Sequence, residues 1–168
     1  MTNDFVLAEC AIRQLYARYV DAVWRKDAKA FADCFTEDGE WKIAAMHIRG
    51  RAAIGETIGK LLAACERVLL IPGTPLLEVA AGTATGRVYC TELAKMADGT
   101  SAMTIGIYHE KYVELGGSWR FKWRHWALHY RGPVDLSAPL VPCPDYGPAP
   151  ALPGPDEPTF TRRPQPGN

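Results

Sequence analysis

The sequence predicts an α+β protein, with helices packed on one face of a curved antiparallel sheet. Two observations carry this. As far as Leu70, apolar residues recur mainly in steps of three and four; from Pro75 to Gly132 they alternate in steps of two. After Gly132 the composition changes, and eleven of the thirteen prolines fall in residues 133–168. This divides the chain into a folded domain, residues 1–131, and a proline-rich C-terminal extension, residues 132–168.

The first helix is expected over 6–23. Leu7, Cys10, Ala11, Leu15, Val20 and Val23, with Ile12, Tyr16 and Tyr19, form one stripe among charged residues. Asp27 can cap a short second helix, "AKAFADCF", which "TEDG" ends. "EWKIAAMHIRG" then reads as one strand turning at Gly50, and "RAAIGETIGKLLAACERVLL" as a third helix, despite Gly55 and Gly59. Three long strand-like stretches follow, "PLLEVAAGTATGRVYCTELAKM", "GTSAMTIGIYHEKYVEL" and "SWRFKWRHWALHYRG". Asp98-Gly99 and Gly116-Gly117 supply the turns between them. In the extension, Leu136, Leu140, Val141, Tyr146, Leu152 and Phe160 are apolar anchors among extended-favouring prolines, so partial docking is expected.

Composition excludes several functions. Nineteen basic and nineteen acidic residues cancel, leaving no electrostatic footprint for nucleic acid or an anionic membrane. No apolar run approaches the roughly 20 residues of a bilayer span. The N-terminus lacks a basic segment followed by an apolar one, so a cytoplasmic protein is expected. The five cysteines are scattered without a CxxC or a zinc-like Cys/His spacing, which suits reduced thiols and no metal. Neither common Gly-rich phosphate loop is present.

Three stretches together carry a family likeness: "IRQLYARYVDAVWRKDAKAFADCFTEDGEW", "IRGRAAI" and "GIYHEKYVELGGSWRFKWR". Their order and spacing resemble the SnoaL-like branch of the nuclear transport factor 2-like superfamily, from about residue 5 to residue 131. The resemblance implies a cone-shaped barrel: a strongly bent antiparallel sheet packed on three N-terminal helices around a deep apolar pocket. It also implies a homodimer or homotrimer. Members include cofactor-free dehydratases, dehydrochlorinases, isomerases and polyketide cyclases, as well as binding proteins and the small subunits of ring-hydroxylating dioxygenases. A fold hosting so many chemistries leaves function to the site.

In the dehydratase and dehydrochlorinase members, an acid near the end of the first helix pairs with a histidine on a later element to act as a base. Here the resemblance places Trp24 at the acid and Ile71 at the histidine, and Ile43 at a tyrosine some members use. The Asp/His dyad is therefore missing, and Trp24, Ile43 and Ile71 are expected as pocket walls instead. Polar candidates remain. Tyr19 stands where dehydrochlorinases keep a basic residue, with Tyr16 one turn earlier, and their hydroxyls can face a developing oxyanion.

Alternation places Gly106, Tyr108 and Glu110 on one face of their strand, the pocket face in relatives, and His109 on the other. Tyr108 is the ligand-contact candidate. On the last strand, strict alternation groups Trp119, Phe121, Trp123 and His125 against Arg120, Lys122, Arg124 and Trp126. Arg124 matches the family arginine after the "WxF" signature, which some members use on a leaving group or oxyanion; an ion pair holding the sheet end is the other reading. His47, His125 and His129 are candidates for moving a proton near neutral pH or simple structural groups, and Glu92 is a carboxylate able to replace the missing acid. These residues lead to two expectations. The first is a cofactor-free lyase or isomerase acting on a small hydrophobic, aromatic and hydroxylated compound. It has Tyr19, His47, Tyr108, Arg124 and His125 as catalytic candidates and Tyr16, Trp24, Ile43, Ile71 and Glu92 against the substrate. The second is a non-catalytic small-molecule binder or an oxygenase small-subunit-like partner.

Overall fold

The computed structural model describes residues 3–134; the expected docking of the proline-rich extension, and Cys143, lie outside them. Helix α1 (Asn3–Arg25) buries Ile12, Leu15, Tyr16, Tyr19 and Val23 of the predicted stripe together with Ala8 and Ala22, whereas Leu7 and Cys10 are exposed. It ends in a Schellman turn. Lys26 takes the left-handed position at φ 58°, its N–H bonds Val23 O at 3.1 Å, and Asp27 N–H bonds Ala22 O at 2.8 Å. Glycine usually fills that position. Here the Lys26 ammonium also bonds Cys65 O at 2.6 Å, tying the turn to the chain beyond the third helix. Asp27 then caps α2 (Ala28–Asp33) as expected, its Oδ1 accepting from Ala30 N at 2.9 Å.

The next segment departs from the sequence reading. Instead of one strand there is a hairpin, β1 (Phe35–Ile43) and β2 (Met46–Arg49). Its two-residue turn is Ala44-Ala45, with φ of 49° and 62°. Such turns normally select Asn or Gly, so two alanines gave no signal. "TEDG" is not a break but lies inside β1, where the register shifts between Phe35 and Glu40. Helix α3 (Arg51–Ala63) stops at Ala63, and the following run is strand β3 (Cys65–Pro72). A short apolar run such as Val68-Leu69-Leu70-Ile71 suits either period, and pairing with a neighbouring strand decides it.

The remaining strands are β4 (Leu76–Ala80), β5 (Thr83–Met96), β6 (Ser101–Leu115) and β7 (Ser118–Gly132), with turns at both predicted glycine sites. "PLLEVAAGTATGRVYCTELAKM" is thus itself a hairpin rather than one strand. The seven strands form one curved, unclosed sheet in the order β2-β1-β7-β6-β5-β3, with β4 also on β5. The sheet is mixed, because β1 runs parallel to β7. That corrects the purely antiparallel expectation; the α+β class and the three helices hold.

Two bulges bend β7. Opposite β6 the register skips between Ile105 and Gly106, and again between Lys111 and Tyr112, each time leaving an extra residue on β7, His129 and Lys122. Every side chain beyond a bulge changes face. Phe121, Arg124, Trp126, Leu128 and Arg131 therefore share the concave side, which strict alternation had split. Among the described residues no helix is long and apolar enough to cross a membrane.

Candidate functional site

The concave face of the sheet is organised in cross-strand rows. Val88, Tyr108 and Trp126 form one; Cys90, Gly106 and Leu128 the next; Leu70, Glu92, Thr104 and Arg131 a third. Over these rows, under α1–α3, lies a cavity of about 430 Å³. Its walls include Tyr19, Val23, Phe31, Trp41, Tyr108 and Trp126, and its polar groups include Glu92, Thr104 and Arg131. The Trp126 indole lies against the Tyr108 ring, centroids 4.6 Å apart. Gly106 makes that possible: a Cβ there would fall 2.7 Å from the indole and 2.4 Å from the Ala127 carbonyl.

At one end of the cavity the Tyr19 and Tyr108 hydroxyls meet at 3.4 Å. Behind them lies the fully buried Arg124, whose guanidinium carbon is 4.2 Å from the Tyr19 ring centre and 3.8 Å from that of Tyr108. Its Nε donates to Glu110 Oε1 at 2.6 Å and its Nη2 to the Tyr16 hydroxyl at 3.2 Å. The Tyr16 and Tyr112 hydroxyls each donate to Glu110. Glu110 thus accepts from three donors, while Arg124 Nη1 has no hydrogen-bond partner among the described residues.

Burial by itself would favour the uncharged form of Arg124, but Glu110 and the surrounding tyrosines hold its guanidinium above the ordinary arginine value, so it stays charged. Burial also pushes Tyr19 up to about 12 and Tyr108 well above the usual tyrosine value, with Arg124 opposing in both. Both phenols are therefore O–H donors at neutral pH, and the cation behind their rings makes them stronger ones.

Glu92 stands in contrast. It is half-buried against the cavity, has no hydrogen bond within the described chain, and is raised above the ordinary glutamate value by desolvation, with Arg131 opposing. It lies close enough to raise both Tyr19 and Tyr108. Glu92 faces Thr104 across the sheet. Thr104 and Tyr108 are four strand positions apart, about 13 Å between Cα atoms. The cavity volume of about 430 Å³ suits a ring-sized molecule.

Of the residues picked from sequence, the structure gathers Tyr19, Tyr108, Ile43 and Glu92 around the cavity and puts Arg124 and Tyr16 in the network behind it. Four expected placements are corrected. Trp24 does not wall this cavity: it lines a separate groove between α1 and Pro72–Pro75, its Nε1 donating to Leu70 O at 3.3 Å. Ile71 points away and is 53% exposed, because alternation in β3 turns Val68 and Leu70 inward. The helix end and β3 do meet where the resemblance pairs them, through an indole and a backbone carbonyl rather than an acid and a histidine.

His47 lies on β2 outside the cavity, paired with Glu40 and close to Arg49. His125 is exposed on the convex face beside His109 and Trp123, since the bulge at Lys122 leaves Arg124, not its neighbour, facing in. Neither histidine reaches the cavity.

Sequence reasoning passed over Glu110, although alternation with Tyr108 had put it on the pocket face. Trp41, Thr104, Trp126 and Arg131 were also missed; Trp126 shares the face of Arg124, whereas Arg131 was hidden by the bulge at His129. Cys10, Cys34, Cys65 and Cys90 are free, and burial raises Cys34 to about 11 and Cys90 to about 12, which disfavours a thiolate at either. Among the described residues no cluster of three or more His, Cys, Asp or Glu could hold a metal ion.

The sequence profile of the SnoaL-like domain matches residues 4–125. No curated protein matches the sequence. Among solved structures, a protein of unknown function from Mycobacterium tuberculosis is similar at 27% identity, covering 76% of this chain and 75% of its own, with a TM-score of 0.70. A putative scytalone dehydratase from Novosphingobium aromaticivorans DSM 12444 superposes with a TM-score of 0.74, at 18% identity over 81% of this chain and 93% of its own. The hexachlorocyclohexane dehydrochlorinase LinA, type 2, gives 0.72, at 20% identity over 85% and 97%. At such identities the last two likenesses speak for the fold.

Proposed function

Because the chain belongs to the SnoaL-like family, we propose that it is a lyase or isomerase that needs no cofactor and acts on a small, aromatic, hydroxylated compound in the cytoplasm. The observation that carries this is a carboxyl with no hydrogen bond among the described residues, Glu92, on the same apolar cavity as a pair of phenol hydroxyls. In elimination Glu92 takes a proton from the carbon beside a carbonyl or carbinol and returns it to the departing group. In isomerisation it returns the proton to another carbon. In retro-aldol cleavage it takes the hydroxyl proton and returns it to the enolate carbon. Its raised pKa brings it nearer neutrality, where general bases and acids work best. The Tyr19 and Tyr108 hydroxyls hold the oxyanion that develops, whether the step is elimination, isomerisation or retro-aldol cleavage. Arg124 polarises both hydroxyls through their rings, and Glu110 positions Arg124.

A panel of aromatic hydroxy-carbonyl compounds, incubated without cofactor and followed by mass spectrometry, tests the reading. Glu92→Gln is expected to lower turnover by roughly 10²–10⁴-fold, and Tyr108→Phe by up to about 10³-fold. Unchanged turnover in both variants would overturn it. One observation favours the second reading, a binder or oxygenase small-subunit-like partner: Trp24 occupies the place of the family's acid and bonds a carbonyl. Affinity across the panel with no product from any member supports that reading instead.

The convex face supports assembly with a second copy of the chain as a homodimer or homotrimer. Ile71, Thr91, Ile105 and Tyr130 form an uncovered row on adjacent strands, flanked by Tyr89. Sedimentation of the Ile105→Glu variant is expected to give a smaller particle than the parent chain.

A further inference from the structure

We infer that Arg131 is a carboxylate-binding residue at the cavity mouth, and that the ligand is a ring compound carrying an ionised carboxylate at the end away from Tyr19 and Tyr108. This deepens the reading of the cavity as a small-molecule site and rests on it. Among the described residues lining the cavity, Arg131 is the one lysine or arginine and Glu92 the one aspartate or glutamate. The Arg131 charge opposes the raised pKa of both Glu92 and Cys65. Those two residues line the cavity from β5 and β3, so the guanidinium stands on the cavity side of the sheet. Arg131 is exposed, as is Leu128 before it on the same face of β7, and both line the cavity, which puts them at its mouth.

Arg124 shows how this fold treats an arginine it uses internally: it is fully buried and donates to Glu110 and Tyr16. Arg131 makes no hydrogen bond or ion pair within the described chain, and neither does the Thr104 hydroxyl beside it. Glu92, Thr104 and Arg131 lie opposite one another on three adjacent strands. The two charged residues are therefore two strand spacings apart, about 10 Å between Cα atoms. They act on each other through space, without a hydrogen bond. A ligand group over Thr104 has the guanidinium fork and a hydroxyl as donors, and a carboxylate matches that fork with two parallel acceptors. Glu92 opposes an anion there, but it is the more distant charge and can take up a proton, whereas arginine stays charged.

The test is calorimetric titration of the full chain with a matched pair of probes, 2-naphthoate and the neutral 2-naphthamide, in two buffers of unequal ionisation enthalpy. The parent chain is expected to prefer 2-naphthoate by roughly tenfold, the lower end for bonds to a charged group because Arg131 is exposed. Arg131→Gln should erase that margin, and unchanged 2-naphthamide affinity reports an intact cavity. Arg131→Lys, with the charge but not the fork, should restore part of it. Because a carboxylate over Thr104 favours protonated Glu92, binding of 2-naphthoate should also take up protons from the buffer, and Glu92→Gln should abolish the uptake. A preference that survives in Arg131→Gln, no preference in the parent chain, or no binding of either probe overturns the inference. So does an absent proton uptake, or one that persists in Glu92→Gln. Neither probe needs to be turned over, so failure of the catalytic reading, seen as absent product from the hydroxy-carbonyl panel, is a separate outcome.

Discussion

Glu110 and Glu92 are two glutamates on adjacent strands of the same concave face. Glu110 accepts from Tyr16, Tyr112 and Arg124 and is 2% exposed. Glu92 is half-buried, meets no donor of the described chain and lines the cavity. The first is satisfied by the fold and serves to hold a cation in place. The second is desolvated with Arg131 opposing but with no hydrogen bond among the described residues, and such a group marks a place where something other than stability is served. Facing inward is therefore a property of strand register, whereas being available for chemistry depends on which donors the other elements bring.

The comparison can be broken most forcefully at Glu110. Glu110→Gln leaves Arg124 buried without its counter-charge, and a loss of roughly 3–5 kcal/mol is expected in chemical denaturation. A loss below about 1 kcal/mol would mean that the pair is not the structural anchor assigned to it. Tyr112→Phe removes one of three donors and is expected to cost about 1.5–3 kcal/mol, the range for a bond to a charged group.

Glu92→Gln should be nearly neutral for stability near pH 4 and mildly stabilising at pH 7 and above, by up to about 1 kcal/mol. The sign follows from its raised pKa. The folded state keeps the Glu92 proton to higher pH than the unfolded chain, whose glutamate titrates near 4.3. The stability this group contributes is complete below about pH 4.3. It declines as pH rises toward the folded value and stays lower above it. Denaturation curves across that window for parent and Glu92→Gln should diverge in that direction; parallel curves would show that Glu92 is not desolvated.

Much of this was legible in the chain. The stripe of α1, the Asp27 cap, the two glycine turns and the resemblance led to the right fold class. Tyr19, Tyr108, Ile43 and Glu92 were picked as pocket residues and line the cavity. What escaped shares one physical cause, the non-local strand pairing. Val68–Ile71 became a strand because β5 offered an open edge. Ala44-Ala45 became a turn because β2 pairs with β1, against the preference of alanine for negative φ.

By itself the sequence determined the periodicities and the cap and turn positions, since these depend only on residue type and spacing; that Trp24 and Ile71 stand where relatives keep an acid and a histidine is what the resemblance implies. The tertiary structure alone decided which residues face one another. Lys122 and His129 bulge out of β7 opposite β6, and that brings Arg124 under Tyr19 and Tyr108 and turns Trp126 into the cavity. No local pattern announces a bulge, because the extra residue is defined by the partner strand rather than by its own neighbours.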